Sequence, residues 1–375
     1  MKNSITNVNH VAPAPLLPWL DEGPERYERP SSVNKFSDAI LPEGEQLASL
    51  LGLDDIGAID AILRRALLEP IAELTANRGK RIRGQLVSLS HRLINAETAH
   101  TIAAARLCRI AADAVEFIHA GSLIVDDIED GSPMRRGRPS LHVRHGLPIA
   151  LNAGNWLYFW PFELLKEMGV SKNQLLLIFD RCQRTLLRAH FGQAIDLGAK
   201  VDTLPRADVA EVCIASMRLK TGALMGFAAM LGAALAGGSE RLVSIIDEFG
   251  RDLGIALQMF DDLGNIIGQC EPSKRYEDLI LSRPSWVWAS AAKKSSARDY
   301  EDFLAAVGEL PDAAPLQSWI EAHDLIPAIR KSAQSCLDDA FETLETRLNE
   351  AGARWSERAF AELRALGDEI AVAYG

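Results

Sequence analysis

Carboxylates are crowded into one short stretch of the sequence, GSLIVDDIEDGSPMRRGRPS at residues 121–140. Its acidic residues are Asp126, Asp127, Glu129 and Asp130, and its basic residues are Arg135, Arg136 and Arg138. Asp126 and Asp130 are four residues apart, so on a helix they project from one face. Carboxylates at a helix C-terminus face its partial negative charge. A divalent cation would relieve this repulsion, and sparse carboxylate ligands suit Mg²⁺ that also contacts substrate phosphates.

The same design occurs a second time, in GIALQMFDDLGN at residues 254–265. An apolar run reaches Asp261 and Asp262, with Gly264 and Asn265 just beyond and Gln258 one turn before. Two such helix ends facing each other across a bundle would hold magnesium ions between them. Two other pairs of adjacent aspartates, at 54–55 and 338–339, are expected to be a helix cap and a solvated helix face.

Basic residues indicate a site for a second anion. Lys80, Arg81 and Arg83 open a predicted helix, whose N-terminal amides already favour anions. Arg135 and Arg136 offer forked guanidinium groups for phosphate. Lys220 and Thr221 enter an apolar helix, and Lys274 follows the second acidic stretch. We expect His142 and His145 to be structural, because no third metal ligand accompanies them.

Composition excludes several classes of protein. The chain has 375 residues and a formal net charge of −11, which argues against nucleic-acid binding. Five scattered cysteines form neither a disulfide framework nor a zinc cluster, as is typical of a cytoplasmic protein. No apolar run approaches the ~20 residues of a membrane span.

Apolar residues recur at three and four positions from about residue 45 onward, which predicts an all-α fold. The sequence contains no convincing alternating strand and no tight hairpin signal. Stretches 102–125 and 221–237 are apolar on most faces, so we expect them to be central helices of a single large bundle around an apolar cavity. Residues 1–40 are rich in Pro, Asn and Ser, which predicts an irregular N-terminal arm. The rest of the chain, residues 41–375, is predicted to form one domain.

Together these motifs resemble the trans-type polyprenyl diphosphate synthases, the chain-elongating prenyltransferases, over residues 75–290. GKRIR is similar to the family's isopentenyl diphosphate motif, and FIHAGSLIVDDIEDGSPMRRG to its first aspartate-rich motif. GQAIDL, KTG and QMFDDLGN follow in the family's order. The resemblance implies an all-α bundle, a magnesium requirement, a homodimer, and two substrates, isopentenyl diphosphate and an allylic prenyl diphosphate.

The resemblance also implies roles for individual residues. Asp126, Asp130 and Asp261 would bind Mg²⁺. The catalytic set would be Asp126, Asp127, Asp130, Lys220, Asp261 and Asp262. The substrate-binding set would be Lys80, Arg83, His119, Arg135, Arg136, Lys220, Thr221, Gln258 and Lys274.

Some positions depart from the family's pattern. Asn265 stands where many members have an aspartate, and Ser282-Arg283 where Gly-Lys is usual. Two alternatives therefore stay open: a class I terpene synthase that cyclises a prenyl diphosphate, and a partner subunit of a synthase. Lys80, Arg83 and His119 favour elongation over cyclisation, and the intact aspartates argue against a subunit without activity.

Small residues precede the first acidic stretch. We expect Gly121 and Ser122 to line the tunnel that stores the growing chain, with Phe117 about one turn deeper. Small residues would let the chain pass, which predicts a product longer than fifteen carbons, namely geranylgeranyl diphosphate. The alternative is that Gly121 and Ser122 only let two helices pack closely.

Overall fold

A computed structural model describes residues 41–76, 79–95, 101–268 and 275–374. The predicted N-terminal arm and Lys274 lie outside the described residues. The helices are α1 (Gly44–Leu51), α2 (Gly57–Leu63), α3 (Glu69–Ala76), α4 (Ile82–Ile94), α5 (Ile102–Glu129), α6 (Leu141–His145), α7 (Leu147–Lys166), α8 (Lys172–Gly198), α9 (Arg206–Met217), α10 (Ala223–Leu235), α11 (Glu240–Ile267), α12 (Glu277–Ile280), α13 (Trp286–Lys294), α14 (Ala297–Gly308), α15 (Ala314–Ala322), α16 (Leu325–Glu350) and α17 (Glu357–Tyr374). π-Helical turns at Arg64–Leu68 and Arg218–Gly222 join α2 to α3 and α9 to α10, and a 3₁₀ turn spans Val201–Thr203.

The predicted all-α bundle is confirmed, and its centre is the apolar segment that the sequence marked. α10 is buried along nearly its whole length and packs against α4, α5, α8 and α11. Close packing needs small residues here: a Cβ on Gly232 would overlap the carbonyl oxygen of Val87 in α4, and one on Gly250 would lie 2.7 Å from the carbonyl oxygen of Met225. Glycines thus let the backbones of the central helices touch.

The continuous helix at 206–235 is, within the described residues, long and apolar enough by composition to cross a membrane. In this fold, 67% of its most apolar window is buried inside the protein. Its apolarity is therefore accounted for by its central position in the bundle.

A short hairpin corrects the expectation that no strands occur. β1 (Met134–Arg135) pairs antiparallel with β2 (Arg138–Pro139). Arg136 and Gly137 connect them with φ angles of 53° and 73°, the left-handed pair of a type I′ turn. Strands of two residues are too short to show alternation, and the usual Asn or Asp at the first turn position is replaced by arginine.

The end of α11 also differs from the expectation. The helix does not close at Gly264 but continues to Ile267, where Gly268 adopts φ 75° and caps it. Gly264 is buried within the helix. Asp261 and Asp262 consequently lie about two turns before the C-terminus, not in the last turn.

Candidate active site

Asp126, near the end of α5, contacts side chains from α8 and from the α9–α10 segment. α5 begins at the Thr101 cap, whose side chain accepts a hydrogen bond from the amide of Ala104, and ends just before Gly131 with φ 64°. Near this end Asp126 Oδ1 accepts hydrogen bonds from Lys220 Nζ at 2.9 Å and Gln193 Nε2 at 3.2 Å. Lys220 Nζ also lies 3.1 Å from Asp196 Oδ2. The first acidic stretch thus faces a lysine from the α9–α10 segment and an amide from α8.

Electrostatic attraction between Asp126 and Lys220 favours the charged form of both side chains. Burial is the largest single influence on the pKa of Asp126 and would raise it, but Lys220, Arg135 and Gln193 together outweigh burial, so this pKa is lowered overall. Burial alone would lower the pKa of Lys220, but Asp126 and Asp196 raise it. Both side chains are therefore charged at neutral pH.

An unusual backbone segment presents Lys220. The π-helical turn Arg218–Gly222 joins α9 to α10 within the continuous helix, and such turns occur frequently at functional sites. Gly192 of α8 lies directly against this turn, since a Cβ on it would be 2.5 Å from the Lys220 amide nitrogen. That close approach brings Gln193 and Asp196 beside the lysine.

Asp127 is held by an arginine of the hairpin. Its carboxylate is 3% exposed and accepts hydrogen bonds from Arg135, at 2.9 Å from Nε and 2.5 Å from Nη2. Arg135 Nη2 is also 3.6 Å from Asp126 Oδ2. The predicted diphosphate ligand Arg135 thereby links the acidic stretch to the hairpin.

Asp130 faces the segment before α13. Its Oδ1 lies 2.9 Å from Arg283 Nη2, and Arg283 Nη1 donates to the backbone carbonyl of Asp196 at 3.1 Å. Burial and the charge of Asp126 raise the pKa of Asp130 to about 6. Ser282 has φ 55°, so it keeps the left-handed geometry that a glycine would adopt more easily.

The two aspartates of the second acidic stretch have different surroundings. Asp261 is exposed, whereas Asp262 is 2% exposed. Asp262 accepts hydrogen bonds from Gln258 Nε2 at 2.8 Å and from the Trp286 amide, at the start of α13, at 2.5 Å. Thr221 Oγ1 donates to Gln258 Oε1 at 2.7 Å. Thr221, Gln258 and Asp262 thus form a hydrogen-bonded chain that links the Lys220 turn, α11 and the start of α13.

Asp278 is a site residue that sequence reasoning missed. It is half-buried on the short helix α12, and burial together with the charges of Asp262, Asp196 and Asp261 raises its pKa well above the usual range. This carboxyl therefore lies within electrostatic reach of the second acidic stretch and of Asp196. The sequence RYEDLI gives no signal, because a lone acidic pair on a short helix is ordinarily solvated. Gln193 and Asp196 of the GQAIDL motif and Arg283, all three singled out in the sequence, also join the site.

A basic pocket lies beside the carboxylates. It is lined by Leu74, Thr75, Gly79, Arg81, Asp113, Glu116, Phe117, His119, Ala120, Leu123, Arg135 and Arg136. A Cβ on Gly79 would lie 2.7 Å from Arg136 Nη2, so the absence of a side chain there lets the guanidinium group approach. The pocket lining therefore combines three arginines and a histidine with two carboxylates and several apolar side chains.

α5 holds in place the segment at residues 79–83, called here the basic loop. Arg81 has φ 49°, and its Nη2 lies 2.5 Å from Oδ1 of the buried Asp113. Glu116 Oε1 accepts the Gly84 amide hydrogen in the first turn of α4 at 2.9 Å. Arg81 lines the pocket, Arg83 is half-buried, and Lys80 is exposed and is not among the pocket-lining residues.

His119 lies in the same pocket. Burial lowers its pKa well below the usual range, and Arg83, Arg136 and Arg135 lower it further. The imidazole is therefore neutral at pH 7, and one of its nitrogens can donate a hydrogen bond.

The three residues predicted to set product length have different surroundings in the structure. A Cβ on Gly121 would lie 2.9 Å from the Gly154 carbonyl oxygen of α7, so Gly121 serves the α5–α7 contact. Ser122 is half-buried and donates to the His119 carbonyl oxygen at 2.8 Å. Phe117 is 4% exposed and lines the basic pocket. These contacts favour the helix-packing alternative for Gly121.

The aspartate pairs at 54–55 and 338–339 have the structural surroundings that the sequence predicted. Asp55 accepts the Gly57 amide hydrogen at 2.8 Å at the start of α2, and Asp338 is exposed and paired with Arg364.

His145 Nε2 lies 3.1 Å from Glu73 Oε2. His142 is half-buried, and its Nδ1 atom is buried without a hydrogen-bond partner. This histidine therefore lacks a hydrogen bond that a structural histidine is expected to make.

The carboxylates are suited to a cation that is shared with a ligand. Among the described residues no three His, Cys, Asp or Glu side chains already form a metal cluster. Oxygen donors of this kind suit a hard divalent ion that keeps several waters and bridges to phosphate. Burial first, and the charge of Asp126 second, raise the pKa of Asp130, and a cation beside these two carboxylates would offset both effects. Asp126, Asp130 and the exposed Asp261 supply the oxygen donors that could hold such an ion.

Comparison with known proteins agrees with the fold and the motifs. A short chain isoprenyl diphosphate synthase of Methanothermobacter thermautotrophicus is 30% identical over 257 residues, which cover 67% of this chain and 74% of the relative. A geranylgeranyl diphosphate synthase of Sulfolobus acidocaldarius is 32% identical over 52% of this chain and 57% of its own length. The crystal structure of geranylgeranyl pyrophosphate synthase from Corynebacterium glutamicum, complexed with isoprenyl diphosphate and magnesium, has a TM-score of 0.71 at 24% identity and covers 87% of this chain and 94% of that one.

A family model extends the match across most of the chain. The model described as polyprenyl synthetase matches residues 64–320, from the π-helical turn after α2 to near the end of α15. This range contains the basic loop, both acidic stretches and the Lys220 turn. The chain therefore belongs to the polyprenyl synthetase family.

Proposed function

We propose that this protein is a prenyltransferase that condenses isopentenyl diphosphate with an allylic diphosphate, and that its product is geranylgeranyl diphosphate. The observation that carries the proposal is the basic pocket of Arg81, His119 and Arg136 directly beside the carboxylates. A condensation of two diphosphates needs two anion sites, whereas cyclisation of one prenyl diphosphate needs only one. The geranylgeranyl and short-chain synthases among the relatives support the same reaction class.

Asp126, Asp130 and Asp261 would hold divalent cations, for which we propose Mg²⁺, the ion with which the Corynebacterium glutamicum synthase is complexed. Such an ion, when bound, would neutralise charge on the allylic diphosphate and so make it a better leaving group. Lys220 and Arg135 add fixed positive charge where negative charge develops on that leaving group. The neighbouring Asp126 and Asp127 keep these two basic side chains oriented.

The basic pocket would bind the diphosphate of isopentenyl diphosphate. Arg81 and Arg136 offer forked donors, and neutral His119 adds one more hydrogen bond. The double bond of this substrate would then attack the allylic cation, and the released diphosphate would accept the proton lost in the last step. The apolar central helices exclude water, so the cation reacts with the double bond and not with solvent.

We further propose that the protein acts as a homodimer. Large apolar side chains are exposed on α7 and α8, with Phe159 at 71%, Leu176 at 66% and Phe191 at 65%. Apolar surfaces of this kind on a folded protein are typical of subunit interfaces. Equilibrium sedimentation should give twice the chain mass, and Phe159→Lys should produce monomers.

A product assay tests the reaction. The protein is incubated with Mg²⁺ and dimethylallyl, geranyl or farnesyl diphosphate, each with and without isopentenyl diphosphate, and the products are identified by chromatography. We expect twenty-carbon diphosphate only when isopentenyl diphosphate is present. A hydrocarbon formed from one prenyl diphosphate, unaffected by isopentenyl diphosphate, would support the terpene synthase instead. Absence of any product would support the partner-subunit alternative.

A further inference from the structure

Two carboxylates of α5 anchor the basic loop and the first turn of α4. Asp113 Oδ1 lies 2.5 Å from Arg81 Nη2, and Glu116 Oε1 accepts the Gly84 amide hydrogen at 2.9 Å. Residues three apart on a helix are neighbours on its surface, so both anchors come from one face of α5. They hold this part of the chain through one side chain and one backbone amide.

The backbone of Arg81 adopts a conformation that needs such support. Its φ angle is 49°, in the left-handed region, which is unfavourable for a residue with a side chain. Gln85 Nε2 donates a hydrogen bond to the carbonyl oxygen of Lys80 at 2.7 Å, and the Gln85 amide donates to that of Arg81 at 3.0 Å. These contacts fix the point from which the Arg81 side chain starts, and the contact with Asp113 fixes its guanidinium group.

The two members of the Asp113–Arg81 pair are unequally buried. The side chain of Asp113 is 6% exposed and that of Arg81 is 27% exposed, and both residues line the basic pocket. An anion that enters the pocket therefore meets the guanidinium group more readily than the carboxylate. Burial, and more weakly the charge of Glu116, raise the pKa of Asp113, whereas Arg81 and Arg109 lower it. The charged form of this carboxylate thus depends on its arginine partner.

We propose that Asp113 is a positioning residue that holds the Arg81 guanidinium group where the diphosphate of isopentenyl diphosphate binds. The inference rests on the proposed function. A long side chain that becomes ordered only on binding lowers the affinity, and the contact with Asp113 orders Arg81 before the substrate arrives. Arginine carries five N–H donors in a fixed fork, so a contact of Nη2 with a carboxylate does not by itself prevent bonding to a phosphate.

The negative charge of Asp113 acts in the opposite direction, because it weakens the attraction between the pocket and an anion. The two effects predict different outcomes for Asp113→Asn, which removes the charge and keeps the size of the side chain. If orientation dominates, isopentenyl diphosphate binds more weakly to the variant, and if charge dominates, it binds more tightly. We expect orientation to prevail, because Arg135 and Arg136 already supply positive charge to the pocket.

Calorimetric titration with isopentenyl diphosphate, in the absence of the allylic substrate, measures the Kd of each variant. Asp113→Asn should raise this Kd by about tenfold, as expected for one charge-assisted hydrogen bond. Asp113→Ala serves if the asparagine variant does not fold. Asp60→Asn, which breaks the more exposed pair with Arg64 on α2, is the matched control and should leave the Kd unchanged. An unchanged or lower Kd for the folded Asp113 variant would overturn the proposal.

A double-mutant cycle tests whether Asp113 acts through Arg81. Arg81→Gln should raise the Kd by about tenfold in the otherwise wild-type protein, but by less than about threefold in the Asp113→Asn background, where the guanidinium group has already lost its orientation. Equal losses in both backgrounds would overturn the proposal, because Asp113 would then act independently of Arg81. Failure of both Asp113 variants to fold would assign this residue to folding and would overturn the proposal as well.

Steady-state kinetics of the Asp113 variant separate this inference from the proposed reaction. The KM for isopentenyl diphosphate should rise by about tenfold, with kcat and the allylic KM within about threefold of the wild type. An equal rise in both KM values would overturn the role at the second site. If the wild type forms no elongated product yet binds isopentenyl diphosphate and shows the coupling with Arg81, the reaction assignment fails and the positioning role stands. If the wild type elongates and the coupling is absent, the positioning role alone fails.

Discussion

The Lys220 ammonium lies 2.9 Å from Oδ1 of Asp126, so the two residues form an ion pair between the α9–α10 segment and the end of α5. Both are largely shielded from solvent, with side chains 33% and 21% exposed. The pair places a permanent positive charge beside the carboxylate that we assign to metal binding. Lys220 should therefore act on charge that develops on the leaving diphosphate.

Lys220→Gln should lower kcat by about a hundredfold or more, since one electrostatic contact in a transition state is worth roughly 3 kcal/mol. Steady-state kinetics with farnesyl and isopentenyl diphosphate measure the loss. Lys172→Gln, at the exposed start of α8, is the matched control and should be near the wild type. A loss below about tenfold at Lys220 would remove it from the catalytic set.

The acidic pairs should divide into two classes. Asp126→Asn and Asp261→Asn should each reduce turnover by roughly two orders of magnitude or more, because they remove ligands of the cation that stabilises the leaving group. Asp54→Asn and Asp338→Asn should do little, because surface ion pairs contribute about 0–1 kcal/mol. Rates at saturating Mg²⁺ measure this division. Comparable losses at all four positions would contradict it.

Arg136 should contribute to the binding of isopentenyl diphosphate and much less to that of the allylic substrate. Arg136→Gln should raise the KM for isopentenyl diphosphate by roughly 10- to 100-fold, the range expected for one charge-assisted hydrogen bond, and change the allylic KM far less. Arg138→Gln, on the exposed strand β2 of the same hairpin, is the control. Lys80→Ala tests the sequence-based assignment in the same assay. Equal effects of Arg136→Gln on both substrates would contradict a separate second site.

His119 should make the folded protein sensitive to acid. Its pKa is lowered in the folded state, whereas an unfolded histidine titrates near ~6.5. Below that pH the unfolded chain binds a proton that the folded chain does not, so stability falls as pH falls, by up to ~1.4 kcal/mol per pH unit. Urea unfolding at pH 8.0 and 5.5 should show a smaller loss for His119→Gln than for the wild type. Parallel losses in both proteins would exclude this linkage.

Asn265 should be a tolerated departure from the family's pattern. It is half-buried on α11, one turn after Asp261, and its amide oxygen can still order a metal-bound water. Asn265→Asp should therefore change kcat by less than about tenfold, or roughly 1.4 kcal/mol of barrier. A gain of a hundredfold would mean that the natural second site is impaired and would favour the partner-subunit alternative.

Local sequence determined the helices and the approximate position of the site. The spacing of apolar residues predicted the buried α10, and the pairing of aspartates with following glycines marked the ends of apolar runs. These signals are local, because helix periodicity and cap preferences depend on residues a few positions apart. For the same reason the Arg136–Gly137 hairpin was missed, since its two-residue strands are shorter than any period.

Tertiary structure decided what each polar side chain contacts. Asp261 and Asp262 are adjacent in sequence, yet one is exposed and the other accepts the Trp286 amide hydrogen. Gly121 serves a helix contact, and Asp278, which has no local signal, joins the acidic site. Neighbours on a helix point in directions about 100° apart, so the packing of distant segments determines which of them meets a substrate, a partner or solvent.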